Sequence, residues 1–250
     1  IDDEGIVPAA LDAACTVSGA KLLFLVPTLQ NPTNAVMSLE RRKAIVEVAR
    51  QHDLLLVEDD VYGYLVQDRP PPIASLAPER TIYITSASKC LAPGLRVAWV
   101  TAPRTRLLRL AEAARVITVT QPGLTGAVAS QWIEDGRAED LLQWQRRETA
   151  ARYEIAAQQL AGLDWHGHEA AYHVLLNLPA PWRADDFAAA ARQDGIAIST
   201  LAPFAVEADD AEQAVRVTLS QPPDRATLTA ALSSLRNILE RGPNRPRAII

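Results

Sequence analysis

Three short apolar runs, at residues 22–26, 54–57 and 82–84, constrain this chain more than any other feature. Each is short, almost uninterrupted and bounded by turn or polar residues, which is the pattern of a buried strand. A turn-rich patch follows the first run, at residues 27–34. Ser38 then stands as a helix N-cap, with Ile45, Val48 and Ala49 on one helical face and Arg41 and Arg42 pointing outward. Strand, helix, strand at this spacing predicts a parallel, right-handed βαβ unit. Residues 68–72, Asp-Arg-Pro-Pro-Pro, predict a loop without regular structure.

Beyond residue 84 a further strand is expected at 97–100 and a helix opened by Pro103. Gln121-Pro122-Gly123 breaks that helix. Two more helical patterns follow at 124–134 and 138–160, separated by Gly136, a residue suited to a helix C-cap. The pattern changes near Gly162. Strands are expected at 174–178, 195–198 and 215–219, helices at 185–193 and 225–239, and a frayed tail from Gly242. The expected class is therefore α/β. A large domain, with a mostly parallel sheet flanked by helices, would span 1–161 and include an interdomain helix at about 138–161. A smaller α+β domain would occupy 162–250.

Composition excludes several classes. The 250 residues are 48% hydrophobic and 22% charged, which is ordinary for a globular protein with a sizeable core. The net charge is −5 and no polybasic run occurs, so the chain has no electrostatic footprint for nucleic acid or an anionic membrane. The apolar runs fall far short of a membrane span. Cys15 and Cys90 have neither metal nor redox spacing, which points to a reducing, cytoplasmic location. His166, His168 and His173 form no metal pattern, and no metal site is expected.

The chemistry centres on Lys89. The strand at 82–84 ends in small hydroxyl residues, then this single lysine, then Pro93-Gly94 and Arg96. Open α/β sheets place ligands at such strand ends. A Schiff base between Lys89 and an aldehyde cofactor is the leading role. Ser86, Ser88 and Arg96 offer hydroxyls and a guanidinium fork for a phosphate dianion, although they could equally end a strand and decorate a surface. Asp59, after the second strand, could pair with a cationic ring nitrogen or belong to a solvated acidic loop. Asn31 could donate to a cofactor phenolate or simply begin an Asn-Pro turn, and Tyr62 could donate to the same oxygen. Arg216, inside an otherwise apolar strand, could clamp a substrate carboxylate or face solvent.

Taken in order, four segments resemble the fold type I pyridoxal-phosphate aminotransferases of class I/II. They are Pro-Thr-Leu-Gln-Asn-Pro-Thr at 27–33, Glu-Asp-Asp-Val-Tyr at 58–62, Ser-Ala-Ser-Lys at 86–89 with Pro-Gly-Leu-Arg at 93–96, and Val-Arg-Val-Thr-Leu at 215–219. The resemblance implies pyridoxal 5'-phosphate as cofactor and amino-group transfer between an amino acid and a 2-oxo acid. It implies that Lys89 forms the cofactor aldimine, Asp59 meets the pyridine nitrogen, and Asn31 and Tyr62 meet the ring oxygen. Ser86 and Arg96 would hold the phosphate, and Arg216 the substrate α-carboxylate. It also implies a homodimer. The phrasing around 88–96, 131–136 and 171–179 is similar to the MocR branch of GntR-type regulators, in which a winged helix-turn-helix precedes an aminotransferase-like domain.

The chain departs from the family pattern at Asn34, where glycine is frequent, at Ala87, where an aromatic is common, and at Ala98, where glycine is usual. None of these removes a polar contact. No phosphate-cupping loop or ring-stacking aromatic is recognisable before Asn31, and the chain opens on Ile1 rather than methionine. The expectation is a C-terminal portion of a longer protein or a truncated gene product. Three readings stand: an aminotransferase, the effector-sensing domain of a regulator whose DNA-binding domain lies upstream, and an inactive fragment.

Overall fold

The computed structural model describes residues 1–118, 123–205 and 213–243. The helix break expected at Gln121-Pro122 and the tail beyond residue 243 lie outside the described residues. The chain divides into two compact units, one formed by Ile1–Asn31 with Ala35–Arg146 and the other by Pro32–Asn34 with Arg147–Ile250.

The first unit contains, in chain order, α1 (Pro8–Ser18), β1 (Leu22–Leu25), α2 (Leu39–Gln51), β2 (Leu55–Asp59), α3 (Ile73–Leu76), β3 (Thr81–Ser86), α4 (Ala87–Cys90), β4 (Ala98–Thr101), α5 (Arg104–Thr118) and α6 (Gly123–Glu134). The long helix α7 (Arg137–Gln159) begins here and runs into the second unit. The sheet order is β1-β2-β3-β4. β1, β2 and β3 are parallel, as the βαβ pattern predicts, because α2 and α3 carry the chain back between strands. β4 is antiparallel to β3, reached through the short turn at Pro93–Leu95.

One face of this sheet is packed. Leu25 and Leu56 meet Leu11 and Cys15 of α1 and Ile45 and Ala49 of α2. The other face carries Leu22, Phe24 and Val100 at 53%, 55% and 49% exposure. The sheet thus lacks, among the described residues, the second cover that parallel sheets usually have.

Ser38 caps α2 as expected, its hydroxyl accepting from the Arg41 N–H at 3.2 Å. Ser38→Ala is expected to cost about 1 kcal/mol of stability, measured as a lowered urea midpoint at constant m-value.

Two expectations fail here. Arg42 does not point outward and is fully buried. It donates to the carbonyls of Pro27 and Met37 at 3.1 Å, of Pro71 at 3.2 Å, and to Thr28 Oγ1 at 2.9 Å. The irregular segment between β1 and α2 leaves interior carbonyls with no ladder partner, and a long, many-donor side chain satisfies them. Arg41 is half-buried and pairs with Asp2 at 2.8 Å. The strand expected at 195–198 is also absent. The N–H groups of Gly195 and Ile196 close the end of a preceding helix onto Arg192 and Ala191, with Gly195 at φ 78°. The strand starts only at Ser199.

The second unit contains β5 (Trp165–Gly167), β6 (His173–Asn177), α8 (Ala184–Gln193), β7 (Ser199–Thr200), β8 (Ala214–Thr218) and α9 (Arg225–Arg241). Its sheet is antiparallel, in the order β5-β6-β8-β7. Val215 and Val217 turn into a core with Leu176, Phe187, Leu228 and Leu232. Alternation along β8 then places Arg216 on the opposite face. No helix among the described residues is long and apolar enough to cross a membrane.

Candidate active site

Parallel strands end on the same edge of their sheet, and this decides where the chemistry-bearing residues fall. Asn31 lies in the loop after β1. Asp59 is the last residue of β2, with Tyr62 three positions on. Ser86 ends β3, and Lys89 lies in the single turn α4 directly after it. β4 runs the other way, so its start, just after Arg96, lies at that same edge. The Ala87 N–H donates to the Val97 carbonyl at 3.0 Å, which ties the Arg96 segment to the beginning of α4. Six of the seven residues to which the family resemblance gives a role therefore share one edge of one sheet. The seventh, Arg216, sits on β8 of the second unit, its guanidinium carbon 5.2 Å from the Phe204 ring centroid.

Lys89 Nζ lies 5.5 Å from the centroid of the Tyr62 ring. Asp59 is half-buried, and its carboxylate accepts from the Val61 N–H at 3.3 Å. Burial pushes the Asp59 carboxyl above its ordinary range. The Val61 N–H and the Lys89 charge pull it down, while the neighbouring Asp60 charge pushes it further up. A carboxylate in this position gains from a cationic partner that shares its partly dry surroundings. Arg96 has left-handed backbone at φ 54° and ψ 34°, a conformation costing roughly 1–2 kcal/mol for a residue with a Cβ. Such strain concentrates at functional sites. Cys90 is a packed thiol: burial raises its pKa, and its sulfur lies 3.2 Å from the Ser86 carbonyl.

Asn34, one of the three departures noted in the sequence, has φ 62°. Asparagine is among the few residues with a side chain that adopt this region readily. Its amide also donates to the His173 carbonyl at 3.0 Å within the second unit.

By sequence, residues 58–60 form one acidic cluster. In the structure the cluster divides by strand alternation. Glu58 and Asp60 are fully buried, while Asp59 is half-buried beside Lys89. Glu58 accepts from the N–H groups of Ile73 at 2.9 Å and Ala74 at 2.8 Å, at the start of α3. Its pKa is raised by burial against the pull of those two donors. The signal was available in the period of two along a strand, which cannot leave three consecutive acids on one face.

The family profile described as aminotransferase class I and II matches residues 5–235. The chain belongs to this family. An HTH-type transcriptional regulator of Bacillus subtilis, YdeF, is 30% identical over 239 residues, covering 96% of this chain and 52% of the regulator. The multiple-substrate aminotransferase of Thermococcus profundus superposes with a TM-score of 0.86 at 25% identity, over 96% of this chain and 62% of that one. The α-aminoadipate aminotransferase of Thermus thermophilus, solved with N-(5'-phosphopyridoxyl)-L-leucine, gives a TM-score of 0.83 at 25% identity, over 96% and 64%. This class I/II chain thus has the fold type I architecture, and it spans about half the length of the regulator and under two thirds of those enzymes.

Proposed function

We propose that this chain binds pyridoxal 5'-phosphate and serves amino-group transfer between an amino acid and a 2-oxo acid. The observation that carries the proposal is the convergence of an amine, a carboxylate, a phenol, an amide, a hydroxyl and a guanidinium on one sheet edge. That donor set fits the cofactor group by group. Asp59 would pair with the ring nitrogen, Asn31 and Tyr62 with the ring oxygen, and Ser86 and Arg96 with the phosphate. Lys89 is the amine that would attach the aldehyde. When bound, the cofactor supplies an electron sink for charge developing at the substrate α-carbon.

The chain's own residues supply the rest. Asp59 keeps a proton on the ring nitrogen, its burial strengthening the pairing. Arg96 and Ser86 orient the phosphate end through charge-assisted hydrogen bonds. Lys89 Nζ would take a proton from the substrate α-carbon and return it as a general acid. Arg216 grips the α-carboxylate with its two-pronged fork. A homodimer and a cytoplasmic location belong to the same proposal, and light scattering tests the first.

The direct experiment incubates the chain with pyridoxal 5'-phosphate and panels of amino and oxo acids. The expected result is a yellow, borohydride-reducible protein with turnover. Bound cofactor without turnover on any donor rejects the enzymatic reading. Arg216→Lys is expected to raise KM for the amino acid by about tenfold or more while leaving cofactor affinity unchanged.

The likeness to YdeF over nearly the whole chain favours one second reading. There the same site senses an amino compound, and a domain outside these 250 residues binds DNA. The net charge of −5 gives this chain little part in that contact. Ligand-dependent DNA binding by the protein of the complete reading frame, without turnover, decides for it.

A further inference from the structure

Directly after Asp59 the chain makes a turn whose inside is filled by a buried carboxylate. Asp60 is fully buried and accepts from the Tyr83 hydroxyl at 2.6 Å and from Arg69 Nη1. Arg69 comes from the irregular loop at 68–72, and its guanidinium also lies over the Tyr64 ring, 5.4 Å from the centroid. The backbone of Asp60 is fastened as well. Its N–H donates to the Ile84 carbonyl at 2.9 Å, continuing the β2–β3 ladder one residue past Asp59, and its carbonyl accepts from the Gly63 N–H at 3.1 Å. Gly63 leaves room for this arrangement, since a Cβ there would collide with the Asp60 carboxylate and the Arg69 guanidinium.

The segment held this way carries Asp59 on one side of Asp60 and Tyr62 on the other. Neither of those residues makes the fastening contacts, because Asp60 is directed to the face that also carries Tyr83, away from Lys89. We propose that Asp60 is a positioning residue for the cofactor site, clamped by Arg69 and Tyr83 so that the turn presents Asp59 and Tyr62 to Lys89 in fixed register. This rests on the reading of Asp59 and Tyr62 as cofactor contacts. Its physical basis is that removing one partner of a buried, charge-assisted hydrogen bond leaves the other unsatisfied, and the backbone then rearranges to reach water.

The test uses Asp60→Asn and the milder Tyr83→Phe, which removes one hydroxyl, with two readouts. Amide hydrogen exchange on the cofactor-free chain is expected to speed up by about tenfold at Val61 and Gly63 while the α2 amides keep their rates. Spectroscopic titration with pyridoxal 5'-phosphate is expected to show a dissociation constant raised by about tenfold. Unchanged exchange at Val61 and Gly63 overturns the proposal. So does uniform acceleration that includes α2, which marks Asp60 as a general stabiliser, and so does a loosened turn with unchanged cofactor affinity. Failure of the unsubstituted chain to load cofactor at all overturns the functional reading and the role of Asp60 with it. That failure is recognised by its appearance in every variant alike.

Discussion

Lys89→Ala is expected to abolish borohydride-stable attachment of pyridoxal 5'-phosphate and to lower turnover by at least about a thousandfold. The chain makes the assignment unusually clean, because it contains only three lysines, Lys21, Lys43 and Lys89. Lys21 precedes β1, at the opposite edge of the sheet from Lys89, and Lys43 lies on the exposed side of α2. Mass spectrometry of the reduced, digested protein should find the cofactor mass on the Lys89 peptide alone, and on no peptide of the variant. Non-covalent binding should survive, since Asp59, Ser86 and Arg96 remain. Trapping at Lys21 or Lys43 in the unsubstituted chain would remove Lys89 from its proposed role.

Arg42→Met is expected to cost about 3–5 kcal/mol, or to prevent folding. Replacing a buried ion by an apolar side chain of similar size is often neutral when both partners change together. Here the partners are the carbonyls of Pro27, Met37 and Pro71, which no substitution at Arg42 removes. The Met37 carbonyl would lose its guanidinium donor in the interior, and the Pro27 carbonyl would keep only the Met37 N–H at 2.9 Å. Burial lowers the Arg42 pKa, and the nearby charges of Glu58 and Asp60 oppose that shift, so the cation itself is held by Glu58 of β2 and by Asp60 just after it. Denaturant unfolding measures the loss. Because Arg42 fastens the chain at Pro27 and Met37, on both sides of Asn31, its removal should also weaken cofactor binding. A variant that unfolds at the unsubstituted midpoint would show that water satisfies these carbonyls as well as the guanidinium does.

Much of the first unit was legible because its signals are local. The apolar runs became β1, β2 and β3, Ser38 became a cap, and the helix–strand alternation forced parallel pairing. The candidate site was legible for the same reason, since a residue just past the end of a parallel strand must lie at one edge. What escaped was less local. Arg42 sits in a helical pattern where an arginine ordinarily faces water, and the carbonyls and hydroxyl of the irregular segment before α2 draw it inward. The strand expected at 195–198 failed because the end of α8 claims those N–H groups first. Asp60 was hidden in an acidic run whose solvated reading is the usual one for exposed acids.

By itself, the sequence determined the order of most strands and helices and named seven candidate residues for a cofactor and substrate. Hydrophobic period and turn chemistry act over a few residues and are written in the chain. The tertiary structure alone decided which arginine is buried, and which loop delivers Arg69 to Asp60. Those choices depend on desolvation and on hydrogen-bond partners many residues away, and a buried polar group takes its role from whatever partner the fold brings to it.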